Sequence, residues 1–118
     1  MLAGAALGAA AVQGLHAQAK PPVYVVGEID ILNQNAYLND YREKAMAVVK
    51  SAGGKFLAAG GKTTAIEGEP PKSRILIQQW DSVEQYQAYR NSAAFRELLP
   101  LKEKVAKFRL FAVEGIPQ

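Results

Sequence analysis

Gly53-Gly54-Lys55-Phe56-Leu57-Ala58-Ala59-Gly60-Gly61 is a short apolar run closed at each end by a glycine pair. Glycine accepts positive φ and close backbone approach, so each pair marks a sharp change of direction. Between the pairs there is room for one strand, Lys55 to Ala59. That punctuation fixes the middle of the chain, and the flanking elements can be read outward from it.

Upstream, Leu38, Tyr41, Ala45, Val48, Val49 and Ala52 form one apolar helical stripe. Asn33-Gln34-Asn35 supplies capping side chains at its start, and Gly53 stands where a left-handed C-cap fits. Before the helix, Val23 to Ile31 is β-branched and alternating, with Val25, Gly27, Ile29 and Ile31 on one face and Val26, Glu28 and Asp30 on the other. This predicts a strand with one apolar face.

Downstream, Lys62 to Glu67 reads as a continuation of the second strand, and Gly68-Glu69-Pro70-Pro71 as a loop. Arg74 to Trp80 is a third strand, with Ile75 and Ile77 on one face and Arg74, Leu76, Gln78 and Trp80 on the other. Asp81 followed by Glu84 forms a capping box that opens a helix through Val83, Tyr86 and Tyr89. Asn91-Ser92 interrupts and re-caps it, and Phe95, Leu98 and Leu99 carry the stripe on to Pro100, which limits the helix or starts a new turn. Phe108 to Val113 is the last strand, ended by Gly115 and Pro117.

The order is β-α-β-β-α-β, which predicts an α+β, ferredoxin-like fold: a four-stranded antiparallel sheet with two helices on one face. The other sheet face is expected to carry Val26, Leu76, Phe111 and Val113, too large an apolar surface to leave wet. Two copies packed sheet to sheet as a homodimer would cover it.

The chain has 118 residues and a net charge of +3, with its basic residues scattered among acidic ones rather than gathered in a patch. This argues against nucleic-acid binding. It has no cysteine, which excludes disulfides, thiolate metal sites and cysteine nucleophiles, and a single histidine, His16. Residues 1–15 are uncharged and rich in Ala, Gly and Leu, and Ala17-Gln18-Ala19 follows as a small-x-small site. The expectation is a signal peptide over 1–19, cleaved after Ala19, one domain over 20–118, and a periplasmic or secreted product. The basic residues that usually open such a leader are missing, which fits an atypical leader or a start placed too far downstream. An ordered N-terminal helix, a retained membrane anchor and a cytoplasmic chain are the alternatives, and no membrane contact beyond the leader is expected. Without His16, the domain lacks the commonest general base and metal ligand, and no metal or cofactor is expected.

Gly60-Gly61-Lys62-Thr63 has the ending of a phosphate-binding loop, but Phe56 stands where the first glycine is needed and strand-like sequence follows instead of a helix. A turn explains these residues. Candidate chemistry is placed on the strands instead. If the first and third strands pair, Glu28 and Asp30 are expected beside Arg74 and Gln78, with Arg109 on the face of Phe111 and Val113. Glu28, Asp30, Arg74 and Arg109 are therefore the candidate catalytic cluster, with a desolvated carboxylate as base. Tyr24, Gln78, Trp80 and Phe111 are the candidate ligand-binding residues, with Tyr24 and Trp80 as aromatic walls. The competing reading of the charged cluster is a structural ion-pair network at the dimer interface, which is favoured. Tyr37, Tyr41, Tyr86 and Tyr89 read as packing residues with a polar tip.

Three segments resemble the family known as domain of unknown function 1330: the glycine-bracketed strand, Ile75 to Trp80 with its capped helix, and Leu110-Phe111-Ala112-Val113-Glu114-Gly115. Tyr89-Arg90-Asn91-Ser92-Ala93-Ala94-Phe95 is similar to the family's Tyr-x-Ser-x-x-Tyr/Phe stretch. The resemblance covers about Pro22 to Gly115 and implies a dimeric α+β barrel, an architecture shared with small monooxygenases of the antibiotic-biosynthesis type. It names no reaction. Haem is not expected, because the domain has no histidine to hold the iron. Three functions stay open: binding of a small, partly apolar molecule in a barrel cavity, a cofactor-independent monooxygenase or isomerase, or a purely structural or interaction module.

Overall fold

The computed structural model describes residues 21–72 and 74–118; the expected leader lies outside them. The described chain folds as β1 (Val23–Ile31), a long helix α1 over 34–51, β2 (Lys55–Ala59), β3 (Arg74–Trp80), α2 (Val83–Arg90), α3 (Ala93–Val105) and β4 (Ala106–Glu114). The sheet is antiparallel throughout, in the order β2-β3-β1-β4. This is the α+β ferredoxin-like arrangement.

Alternation along β1 sets the layers. Val23, Val25, Gly27 and Ile29 are buried, while the residues between them are partly open. Antiparallel register places Trp80, Gln78, Leu76 and Arg74 of β3 opposite those four, so they share the buried face. On β4 the same face carries Ala112, Leu110, Phe108 and Ala106. Val25, Val49, Trp80, Tyr89 and Phe95 join β1, β3 and the three helices in one buried cluster. Ile29, Tyr37, Tyr41, Val105 and Ala106 form a second.

The opposite face carries Tyr24, Val26 and Glu28 of β1, flanked by Gln79, Ile77 and Ile75 on β3 and by Val113, Phe111 and Arg109 on β4. Leu76 therefore belongs to the helix side, and Ile75 and Ile77 take the place expected for it. The apolar isoleucines read as the core side of β3, but the side with Arg74 and Gln78 is the buried one.

Helix α1 is not uniform. Gln34–Ala36 is α-helical, Tyr37–Tyr41 is a π turn, and Arg42–Ser51 returns to α. The Arg42 N–H donates to the Tyr37 carbonyl, five residues back. The wider turn brings Tyr37 and Tyr41 into the core and leaves Leu38, expected in the stripe, 42% exposed. Single-turn π bulges occur often at functional sites.

The glycine-bracketed strand has the predicted bounds. Gly54 is buried against Trp80 and Val49: a Cβ there would sit 2.5 Å from a Trp80 ring carbon and 2.8 Å from Val49. Gly61 has nothing within 4 Å of the same position. Overpacking a tight site costs about 1–3 kcal/mol. Gly54→Ala is expected to lower the urea midpoint by that order, and Gly61→Ala to leave it unchanged; equal effects would contradict this packing.

Gly60 has φ +76, and its N–H donates to the Ile75 carbonyl at 2.9 Å, the last ladder contact of that edge. Beyond it the chain leaves the sheet, and residues 61–72 are exposed and irregular. The expected strand over Lys62–Glu67 does not form, since it has no second apolar surface to pack against. The helix boundaries shift too. Ser82, not Asp81, caps α2: its Oγ accepts from the Gln85 N–H at 3.0 Å, and Gln85 Oε1 accepts from the Asp81 N–H at 2.7 Å. Ser92 re-caps α3, and Pro100, at an exposed position, lies inside a helix that continues to Val105.

Candidate functional site

A cavity of about 60 Å³ lies between the buried sheet face and the helices. Its apolar wall includes Ile29, Val49, Phe56, Leu76 and Phe108, and four tyrosines share the same wall: Tyr37, Tyr41, Tyr86 and Tyr89. Gln78 from β3 and four cations, Arg42, Arg74, Arg90 and Lys102, complete the polar part; no carboxylate takes part. A wider surface depression of about 420 Å³ beside Phe111 and Val83 shares Tyr86, Arg90 and Leu110 with the cavity, so the two adjoin at those side chains.

Each element delivers its groups through its own periodicity. The π turn places Tyr37, Tyr41 and Arg42 together on the cavity wall. Arg74, on the buried face of β3, donates from Nε to the Tyr37 hydroxyl at 3.1 Å and lies over that ring at 5.1 Å. The guanidinium also lies where a side chain on Gly60 would collide with it, so the turn that ends β2 also makes room for Arg74. Arg90 lies over Phe95 at 4.4 Å, and Lys102 over Phe108 at 4.0 Å. Gln78 is buried, and its Oε1 accepts from the Trp80 indole N–H at 2.9 Å.

Burial governs the ionisation of these groups. It holds Tyr41 and Tyr86 above the ordinary tyrosine value of 10.0 and pushes Tyr89 up to about 12; neighbouring tyrosines add to this for Tyr41 and Tyr89, and Arg90 opposes it in all three. At neutral pH the three phenols are therefore hydrogen-bond donors, not bases. Burial lowers Lys102 from 10.5, and the Arg90 charge lowers it further.

The folded chain holds phenol protons that the unfolded chain releases above pH 10. The stability these groups contribute is therefore complete below pH 10 and lost as pH rises through their raised values. Lys102 acts with the opposite sign, favouring the folded state as pH climbs toward 10.5. With three phenols against one amine, the urea midpoint is expected to be lower at pH 11 than at pH 9. Phenolate absorbance of the native protein should rise later than that of free tyrosine, and coincident curves would contradict the burial of these rings.

The eight candidate residues from the sequence divide between the two sheet faces. Glu28 and Arg109 meet on the open face, where Arg109 Nη1 donates to Glu28 Oε1 at 2.8 Å. Asp30 is exposed on that face, opposite Lys107 in register, and Tyr24 and Phe111 also lie there. Arg74, Gln78 and Trp80 point the other way. The cluster of Glu28, Asp30, Arg74 and Arg109 does not assemble, and Tyr24 and Trp80 do not face one another. Only Arg74 and Gln78 reach the cavity, while Trp80 packs in the core with Tyr86 and Tyr89, their ring centroids 5.2 and 5.1 Å away.

The sequence reading missed Arg42, Arg90 and Lys102, and it assigned the four tyrosines to packing alone. A signal was present: each helix carries one cation in line with its apolar stripe. Arg42 precedes Ala45 and Val49, Arg90 follows Tyr86, and Lys102 follows Phe95 and Leu99, all at helical spacing. Among the described residues no group of three or more His, Cys, Asp or Glu could hold a metal ion, and no helix is long and apolar enough to cross a membrane.

A family model described as "Domain of unknown function (DUF1330)" matches residues 22–116. No curated protein matches the chain. Among solved structures, the fold is similar to RPA0582, a protein of unknown function from Rhodopseudomonas palustris, with TM-score 0.67 and 15% identity over 82% of this chain and 84% of that one. It is also similar to SnoaB, described as a cofactor-independent oxygenase from Streptomyces nogalater, with TM-score 0.60 and 12% identity over 83% of this chain and 96% of that one. At these identities the likeness is one of fold.

Proposed function

The chain belongs to the DUF1330 family, and on that premise we propose that it binds a small, partly apolar molecule in the cavity between sheet and helices. The observation that carries this reading is the unfilled core itself. Protein interiors are close-packed, yet here a cavity of about 60 Å³ persists where the layers meet and adjoins a depression of about 420 Å³, with four tyrosines and four cationic side chains in its wall. An apolar lining with a few convergent polar groups is the usual make-up of a ligand site.

SnoaB's description as a cofactor-independent oxygenase motivates a second reading, in which the bound molecule also reacts with oxygen. Binding alone is favoured on chemical grounds. The carboxylates expected to act as base, Glu28 and Asp30, are on the opposite sheet face, and the cavity's three buried phenols keep their protons.

The test is a thermal-shift and oxygen-electrode comparison using single-ring aromatic compounds and short carboxylic acids with their amides. Ligand at a hundred times its Kd adds roughly 2.7 kcal/mol, a Tm rise on the order of 10 °C for a domain of this size. A saturable rise is expected for the native protein and not for Ala45→Leu, which fills the cavity from α1. No saturable shift with any compound would overturn the reading in favour of a structural module, and oxygen uptake would favour the enzyme.

We further propose that the open sheet face closes against a second copy of the chain. Phe111 is 45% and Val113 50% exposed there, beside Val26, Ile75 and Ile77. At one end of the face, Glu28 stands opposite Arg109 and Asp30 opposite Lys107, so its charges are balanced and two copies can meet without net repulsion. For compartment, the small-x-small site at Ala17-Gln18-Ala19 supports export with cleavage after Ala19. N-terminal sequencing of protein made in a Gram-negative host tests this, with Met1 intact as the contrary result.

A further inference from the structure

We infer that the molecule taken up by the cavity is an organic carboxylate, held at its charged end by Arg42, Arg90 and Lys102; this rests on the binding reading above. The first support is charge accounting. Four cations line the cavity and no carboxylate does. All eleven acidic residues of the chain are among the described residues, and the ion pair formed there, Arg109 with Glu28, is on the opposite face of the sheet. The cavity therefore gathers positive charge with no carboxylate in its wall, and of the acids only Glu103, outside that wall, partly offsets Lys102; such an arrangement is costly unless something pairs with it.

The second support is an unpartnered atom. Arg42 Nε is shut off from solvent and makes no hydrogen bond. Buried donors are almost always paired, so this one marks a place where an acceptor belongs. The aromatic rings do not supply it. Arg90 and Lys102 lie over Phe95 and Phe108, which steadies them without supplying an anion. The depressed proton affinity of Lys102, caused by burial and then by the Arg90 charge, agrees with two cations crowding one space.

The chemistry of the donors narrows the class. A guanidinium presents a planar fork that fits a carboxylate with two parallel hydrogen bonds, and the phenols of Tyr41 and Tyr89 add neutral donors. The remaining wall, with Ile29, Leu76 and Phe108, is apolar and suits a hydrocarbon body better than the fully polar surface of an inorganic anion.

The experiment compares benzoate with benzamide, butyrate with butyramide, and inorganic phosphate, by calorimetry on the native protein and on Arg42→Gln and Arg90→Gln. A carboxylate is expected to bind at least about tenfold more tightly than its amide, as charge-assisted hydrogen bonds would give. Arg42→Gln should abolish that preference with no loss of Tm in the ligand-free protein, since it removes a buried N–H donor that has no partner; a merely structural arginine would lower Tm and spare the preference. Should Arg42→Gln fail to fold, Arg90→Gln carries the same prediction for the preference. Equal binding of acid and amide would overturn the inference and leave the cavity reading standing. Phosphate bound as tightly as benzoate would also overturn it, and silence from every probe would overturn inference and reading together.

Discussion

Trp80→Ala is expected to cost about 3–5 kcal/mol, a fall in Tm on the order of 20 °C for a domain of this size. Trp80 is 1% exposed and among the largest fully buried side chains. Its ring meets Tyr86, Tyr89 and Val25 with Val49, joining both central strands to the helices, and Gly54 leaves the space that it fills. Its indole N–H also occupies Gln78 Oε1, so truncation leaves a buried acceptor unpaired as well as a void. Since whole domains are stable by only about 5–15 kcal/mol, this substitution removes a large share. Chemical denaturation followed by circular dichroism would measure it; a loss below about 1 kcal/mol would contradict the role of Trp80 as the core's anchor.

Phe111→Asp is expected to convert a homodimer into a folded monomer. Phe111 is on the edge strand β4, half exposed in the single chain, and stands beside Val26 at the centre of the open face. Placing a carboxylate there puts like charges near one another across a two-fold sheet contact and desolvates both. Such juxtaposition costs several kcal/mol, so the dissociation constant should rise roughly a thousandfold or more. Because the side chain is already exposed in the isolated fold, the circular dichroism spectrum should be unchanged. Sedimentation equilibrium decides between the outcomes: a native protein that is monomeric, or a variant that stays dimeric, would exclude this face as the interface.

The fold was legible because its signals are local. The glycine pairs around Lys55–Ala59, the alternation along Val23–Ile31 and the stripe around Ala45 and Val49 each specify an element without knowledge of its neighbours. The family resemblance implied the α+β barrel architecture to which the β-α-β-β-α-β order belongs. Site residues depend instead on register between strands, which alternation within a strand does not contain. The faces of β3 were separated correctly, but the side holding Arg74 and Gln78 was matched to Glu28 and Asp30, although register sets it opposite Val25 and Ile29. The ordinary rule that apolar residues face inward favoured Ile75 and Ile77 for the core, and a polar-lined cavity inverts that rule. The π turn at Tyr37–Tyr41 has no composition signature, so the move of Tyr37 and Arg42 toward the cavity and of Leu38 toward solvent had to come from the structure. The cations aligned with the helical stripes were visible in the sequence, and each taken singly reads as the edge of an amphipathic helix.

That functional binding occurs on the helix side of the sheet is tested most directly by aromatic-ring nuclear magnetic resonance of the native protein titrated with benzoate. The five tyrosines divide by face: Tyr37, Tyr41, Tyr86 and Tyr89 line the cavity, and Tyr24 lies on the open face. Saturable shifts of the cavity tyrosines, with Tyr24 and Phe111 unmoved, are the predicted result. Shifts confined to Tyr24 and Phe111, or no saturable shift of any ring, would contradict it.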